Sequence, residues 1–539
     1  MDTPTSTGLL RANVGVAAGT AVSRLTGLLR VVVFGIVIGQ TALADAYDGA
    51  NNSPNSLYEL LIGGVFSATL VPLFTRLFHD EASSESEKSA KDNQSGIDAV
   101  FSVGIILLAA FTAVAVLLAP QIFHLFALNP SSAVDAEQYR QVGTLLTRVF
   151  LIQIFFYGVI ALMSAALNAR RKFLAAAWAP VASNVVIIVL LLFVPLTVDG
   201  EPLLGDIETD SALRWLLSLG STGGVAVTAV ILWRAARNSG ISFRFSPQFG
   251  HPAVKKLMRL SGWTFGYVAA NQVALVVIRN LARPGSGDPD AYTKAYIFFQ
   301  LPHALLAVSI ATTFGPELAK AVTTKRRDVF VERMSLGVRM IALLTLPFSF
   351  LTLVAARPVI GALLQHGNFS ADAALNTARA LMGFSLGLVG FSVFLFTLRA
   401  FYAHEDTRTP FVLNLFENIL NIVLAVIFVR HFGVLGLGLA FAVAYLVSAV
   451  LALAVLEMKV REFEMKAMLR SLLPMLLAAV VSAQIAWFVG RALGDTAGIG
   501  AFVRSVATYL VGIGGYVALL VVLKVPETRQ LVQRLRRGS

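Results

Sequence analysis

The sequence predicts an all-α polytopic membrane protein, and three observations carry that prediction. Of its 539 residues 56% are hydrophobic and 14% charged, with a mean hydropathy of +0.74, a balance that leaves too little polar surface to cover a water-soluble protein of this size. Apolar runs of about 20 residues, the length that crosses a bilayer as helix, recur along the whole chain. Basic residues then collect in alternate connections between those runs.

Read as spans, the runs number about fourteen, starting near Ala12, Asp48, Ile97, Gly143, Ala175, Leu213, Leu257, Tyr292, Leu336, Leu375, Pro410, Leu435, Leu469 and Ala501. The first stretch lacks a short basic segment followed by a small-residue cleavage site, so it is expected to be a retained helix. Arg170, Arg171 and Lys172 follow the fourth run. Arg234, Arg237, Arg244, Lys255, Lys256 and Arg259 follow the sixth, and Lys325, Arg326, Arg327 and Arg333 follow the eighth. The intervening connection VDGEPLLGDIETD carries Asp199, Glu201, Asp206, Glu208 and Asp210. By the positive-inside rule the basic loops, and with them both termini, are cytoplasmic. The expected location is the bacterial cytoplasmic membrane.

The formal charge of +12 is read as orientation and contact with anionic lipid rather than nucleic-acid binding, because the excess lies at the cytoplasmic ends of helices. The absence of cysteine excludes disulfides, thiolate metal sites and cysteine nucleophiles. Seven histidines form no HExxH pattern and no GxxxxGK[ST] loop occurs, so the chain is expected to be a transporter rather than an enzyme, with no cofactor and no metal site. The polar stretch from His79 to Ser95 is expected to be a flexible cytoplasmic loop.

Weak internal repetition divides the chain. ALNARRKFLAAAWAPVASNVVIIV and AFYAHEDTRTPFVLNLFENILNIV both pass from a helix end through a polar turn to a Pro that opens the next helix, with Asn184 and Asn414 each four residues beyond it. The expected organisation is an N-terminal lobe at 1–247, a C-terminal lobe at 248–460, and two appended helices with a basic tail at 461–539. Two related halves around a central site are a common plan among transporters.

Arg24 and Arg30 lie inside the first apolar run. A lipid-facing Arg near mid-bilayer costs about 2.5–3.5 kcal/mol, so the pair suggests an aqueous cavity and an anionic ligand. Six residues place them about 240° apart on a straight helix, and Gly27 between them permits a bend that brings them to one face. Guanidinium forks suit phosphate oxygens through bidentate hydrogen bonds. The competing reading is that they snorkel or pair with helix-end carbonyls and acidic neighbours. Glu59 and Glu417 also stand in apolar runs, where each either pairs structurally or serves as a counter-ion, a proton site or part of a cation site. Arg399, Glu405, Asp406 and Arg408 form a turn expected to latch helices together, with hydroxyl caps from DTRTP.

Several separated motifs resemble one family in its order: SRLTGLLR, ADAYDGANNSPNSLYELLIGGVFSATLVP, NQV at 271–273, HGNF at 366–369 and RAFYAHEDTRTP at 399–410. Together they look like the MurJ (MviN) family, lipid II flippases of the multidrug/oligosaccharidyl-lipid/polysaccharide (MOP) exporter superfamily. The resemblance implies a fourteen-helix, MATE-like fold of two pseudo-symmetric six-helix lobes plus two C-terminal helices. The implied activity is moving undecaprenyl-pyrophosphate-linked lipid II between leaflets by alternating access, driven by a coupling ion, Na+ or H+, or by the membrane potential. Implied partners are lipid II, membrane lipids and cell-wall synthesis proteins.

The resemblance further implies headgroup contacts from Arg24 and Arg30, with Asp45, Asn55 and Asn271 as further substrate-binding candidates. The chain departs from the family pattern at Tyr58, where many members have Arg, at Gly63, where they have an acidic residue, and at Ile297, where a basic one is expected. Lys294, one helical turn earlier, and Arg279 are the candidates to replace that charge. An exporter of another lipid-linked glycan or of drugs, and a non-transporting cell-wall scaffold, are the alternatives.

Overall fold

The computed structural model describes residues 6–60, 70, 73–78, 87–252, 254, 262–460 and 462–527, and these are helical with no strand among them. Eleven helices among the described residues are long and apolar enough to cross a membrane. A further pair, Ala371–Ser385 and Leu388–Ala403, is bent by 48° at its break and brings the count to twelve when taken as one broken span. Parts of the expected second and seventh spans lie outside the described residues, as do Gly63, Lys255, Lys256 and Arg259.

The chain forms two compact units, Met1–Gln272 with Pro284–Ser286, and Val273–Arg283 with Gly287–Ser539. The first holds α1 (Ser6–Ile38), α2 (Ala42–Tyr58), α3 (Glu87–Leu117), α4 (Ala119–Phe126), α5 (Ala136–Phe150), α6 (Gln153–Ala169), α7 (Phe173–Leu192), α8 (Leu204–Thr209) and α9 (Ser211–Asn238). There α1 packs on α7, α7 on α9, α9 on α6, and α2 on α5. The unit boundary falls inside α10 (Gly262–Leu281).

The second unit continues with α11 (Asp288–Pro302), a π-helical segment His303–Ala307, α12 (Val308–Thr323), α13 (Arg327–Leu364), α14 (Ala371–Ser385), α15 (Leu388–Ala403), α16 (Arg408–Phe432), α17 (Val434–Lys459), α18 (Met465–Ala492) and α19 (Gly498–Val522). Its hub is the 38-residue α13, which packs against α12, α14, α15, α18 and α19. The last two helices thus share the core of this unit, with Leu346, Met475 and Tyr516 in one cluster.

Many of the exposed large side chains are Leu, Val, Ile and Phe on these helices, such as Leu107, Val230, Ile419, Phe488 and Leu510. In water such a surface would aggregate; in lipid it is the solvated face. Helix starts are set by side chains that accept the orphan amides of the first turn: Thr41 for α2, Asp135 for α5, Asp210 for α9 and Ser370 for α14. Each such cap contributes about 1 kcal/mol.

Five helices end in the same way. Two residues past the ends of α6, α12, α15, α19 and α9 stand left-handed Arg171, Lys325, Glu405, Lys524 and Gly240. In each case the following amide bonds back to a carbonyl five residues earlier, as in Lys172 to Leu167 at 2.8 Å and Arg326 to Ala321 at 2.8 Å, the Schellman closure. Other left-handed residues include Gly39, Gly433 and Gly494, together with Arg283.

One expectation changes. The segment 87–95, expected as loop, is the start of α3; its Glu, Lys, Ala and Gln are good helix formers that extend a span already nucleated. Pro54 is accommodated inside α2, which runs helical to Tyr58 before a π turn at 59–60. The turn at 404–407 ties helices together through two of the expected residues, Asp406 and Arg399: Asp406 pairs with Lys459 at the end of α17 and accepts the Thr409 amide at 2.9 Å. A carboxylate therefore caps α16, while Arg399 donates to the Ala311 carbonyl of α12 at 2.9 Å.

Gly436 and Gly438 of GVLGLGLAFAVAY are packing residues. A Cβ on Gly383 of α14 would meet the Leu435 carbonyl oxygen at 2.7 Å, and one on Gly438 of α17 would meet that of Ala380 at 2.7 Å. Gly383→Leu is therefore expected to lower stability by about 1–3 kcal/mol, the cost of overpacking, measured as a fall in the melting temperature of detergent-purified protein. The latch has a pH signature. Burial pushes the Asp406 carboxyl up, but hydrogen bonds from Lys459 and Thr409 and the Lys459 charge outweigh it and bring the group from 3.8 down to about 2. Its stabilisation is full above about pH 4 and is lost as pH falls toward 2. Thermal melts of Lys459→Ala against wild type are expected to show a smaller acid-dependent loss in that window.

Candidate functional site

In the first unit one face of α2 carries Tyr47, Asn51 and Asn55 at intervals of four, so they stack along a single helix stripe. Opposite, α6 presents Gln153 and Tyr157 one turn apart, and α9 presents Ser221 and Thr222. These groups join into one network. Ser221 Oγ donates to Asn51 Oδ1 at 2.7 Å. Gln153 Nε2 donates to Ser221 Oγ at 3.2 Å and to Thr222 Oγ1 at 3.3 Å. Tyr157 donates its hydroxyl to Gln153 Oε1 at 3.0 Å, and Asn55 lies within hydrogen-bonding reach of that hydroxyl.

Arg30 of α1 completes the arrangement. It is half-buried, its charge acts on both Tyr47 and Tyr157, and it makes no ion pair or hydrogen bond among the described residues. The wall beside it is aromatic: Phe34 and Tyr47 rings lie 4.7 Å apart, Tyr58 and Tyr157 5.3 Å. Buried amides and hydroxyls that satisfy one another hold a fixed surface, and a lone guanidinium on such a surface is suited to an anion carrying further polar groups.

Arg24 does not join it. The helix α1 runs uninterrupted through Gly27, so the six-residue spacing leaves Arg24 exposed on another face. Asn184 of α7 covers the stretch between the arginines, donating to the Ser23 carbonyl at 3.2 Å and Thr26 Oγ1 at 3.0 Å.

Asp45 is fully buried in the first turn of α2. Its Oδ2 accepts the amide of Gly285 at 2.9 Å, a residue whose φ of +90° and whose crowding by Val134 both require glycine. Its position makes it a structural anchor for the 284–286 loop, not a solvated loop residue. Glu59 accepts Gln272 Nε2 at 2.7 Å, and Asn271 donates to the Tyr267 carbonyl at 3.2 Å within α10.

In the second unit Lys294 is buried, paired with Asp290 one turn earlier, and stands 5.5 Å over the Phe369 ring. Arg279 is buried near the end of α10. Glu417 lies on a buried stripe of α16 with Asn414, Asn418 and Asn421, within reach of the Tyr445 hydroxyl; its Oε1 has no hydrogen-bond partner among the described residues. No group of three or more His, Cys, Asp or Glu suited to a metal occurs among the described residues.

Of the predicted residues the structure thus brings together Arg30 and Asn55, with Tyr58 at the wall. Gln153, Tyr157 and Ser221 were not expected, although a Gln and a Tyr four apart inside an apolar run are the sequence mark of a buried polar stripe.

A family model described as "Lipid II flippase MurJ" matches residues 35–526. The "Lipid II flippase MurJ" of Burkholderia cenocepacia is 28% identical over 447 residues, 82% of this chain and 83% of that protein. A solved structure described as "Lipid II flippase MurJ, inward closed conformation" superposes with a TM-score of 0.73 at 22% identity, covering 96% of this chain and 99% of the other. A multidrug resistance MATE family transporter of the MOP superfamily, in an inward-facing conformation, gives 0.58 at 16% identity over 80% of this chain and 98% of that one. The architecture is therefore that of MOP exporters, and with a match that spans nearly the whole sequence this chain belongs to the MurJ family.

Proposed function

We propose that this chain is a lipid II flippase of the bacterial cytoplasmic membrane, carrying undecaprenyl-pyrophosphate-linked muropeptide from the inner to the outer leaflet by alternating access. The observation that carries the reading is Arg30, a half-buried guanidinium without a counter-ion among the described residues, set against the Tyr47, Asn51, Asn55 and Tyr157 wall. Pyrophosphate supplies the missing negative charge, and sugar and peptide groups find donors and acceptors on the amides and phenols beside it. Arg24, exposed on α1, makes the first contact with the headgroup before Arg30 receives it. Lys294 and Arg279, both buried in the second unit, supply positive potential there, with Lys294 largely neutralised by Asp290.

Transport requires that the ligand or an ion prefer one conformational state. Glu417, buried with a carboxylate oxygen left unpartnered among the described residues, is the proposed coupling group for Na+ or H+, with the membrane potential acting on its charge. Both termini are placed in the cytoplasm, on the face of Arg170, Arg171 and Lys172. Cell-wall synthesis proteins that consume lipid II are the expected protein partners.

Complementation of a conditional flippase depletion, with membrane levels checked, tests the substrate reading. Wild type is expected to rescue growth and Arg30→Ala to fail, losing a charge-assisted contact of about 1.5–3 kcal/mol, or about ten- to a hundredfold in transport. Arg24→Ala is expected to impair less, and Glu417→Gln to abolish rescue. An inserted, abundant wild-type chain that does not rescue sinks the lipid II assignment. Because the chain has no cysteine, topology is tested directly: in intact cells Glu201→Cys is expected to react with a membrane-impermeant maleimide and Ser239→Cys to react only after lysis.

A further inference from the structure

Between α4 and α5 of the first unit lies an open groove of about 810 Å³, lined by Gln121, His124, Arg140, Thr144 and Arg148 with Leu125 at its edge. The α5–α6 crossing from Ala136 to Ala169 is 34 residues long, about 50 Å of helix against a hydrocarbon thickness of about 30 Å. Arg148 stands twenty-one residues before Ala169, about 32 Å along the helix. With Arg170, Arg171 and Lys172 at one headgroup layer, Arg148 therefore reaches the other.

Three features make this groove suited to a phosphate. Arg148 is exposed and has no ion pair or hydrogen bond among the described residues, so its donors are available to a headgroup phosphate at that level. Arg140, two turns away on the same helix face, spends its Nε and Nη2 on the Ala127 and Leu128 carbonyls at 3.2 and 3.3 Å, which fixes it in place with further donors left over. The two acidic lining residues are engaged: Glu137 accepts Gln141 at 2.9 Å and Glu208 accepts Gln138 at 3.4 Å. Glu137 is also eleven residues, about 16 Å, from Arg148 along the helix.

Beside the polar groups, Leu117, Leu118 and Leu125 are exposed, an apolar rim at the depth where acyl chains begin. We infer that the α4–α5 groove binds the headgroup of an anionic phospholipid, phosphatidylglycerol in type, through Arg148 and Arg140, with its chains along the leucine rim. On the orientation proposed above this is an outer-leaflet lipid, at a site separate from the Arg30 network. Charge and depth together select it: the groove offers cations at headgroup level and apolar surface directly beneath.

Native mass spectrometry of delipidated protein titrated with phosphatidylglycerol, or with phosphatidylcholine of the same chains, tests the assignment. Wild type is expected to retain phosphatidylglycerol preferentially, Arg148→Gln to lose about fivefold in that retention, and Arg148→Lys to keep most of it. Equal retention of the two lipids by wild type overturns the inference, as does unchanged retention in Arg148→Gln. Glycerol 3-phosphate displacing the lipid at equal concentration also overturns it, because the site then recognises a free phosphate. The wild-type comparison needs no variant to fold, and it reads lipid binding whether or not the chain moves lipid II.

Discussion

A polypeptide that enters hydrocarbon has to satisfy every backbone amide and carbonyl within itself, and in this chain that requirement shapes both the helices and the places where helices depart from regularity. Pro302 and the π segment at 303–307 interrupt the α ladder of the 288–323 crossing, and polar side chains meet along the same stretch: His303 hydrogen-bonds the Ser392 hydroxyl at 2.9 Å, and one turn beyond the π segment Arg399 donates to the Ala311 carbonyl. At the π turn after α2, Glu59 accepts a hydrogen bond from Gln272.

The same requirement governs side chains. The first unit's Asn51, Gln153, Tyr157 and Ser221 close their hydrogen bonds on one another, so the surface beside Arg30 is preorganised rather than assembled when a ligand arrives. The second unit handles polarity in another way. Around Phe299, Phe384, Phe391, Phe441 and Tyr445 it builds a dense aromatic core, and its buried ionic groups include a neutralised pair, Lys294 with Asp290, and the Glu417 stripe beside that core.

Much of this was legible in the chain before its coordinates. Hydropathy gave the helices, because lipid imposes that rule residue by residue. Arg30 and Asn55 were legible since a guanidinium or amide in an apolar run is costly without a reason. The separation of Arg24 from Arg30 hinged on whether α1 bends at Gly27, which no local signal decides. The burial of Asp45 was not legible, because Thr41 caps the helix ahead of the apolar pattern and Gly285 supplies its partner from 240 residues away. Gln153 and Tyr157 lie on one helix and Ser221 on another, and only packing makes them one site with Asn51.

The left-handed closures at basic residues join two kinds of information in single residues. A non-glycine residue at positive φ is strained by about 1–2 kcal/mol, and glycine would remove that cost at Arg171, Lys325 and Lys524 while deleting a charge that holds the loop to its side of the membrane. The stop of the helix and its address are encoded at one position, so selection for a more stable turn works directly against selection for a correctly threaded chain. At Gly39, Gly433 and Gly494, where the left-handed position carries no charge, glycine takes the turn without that conflict.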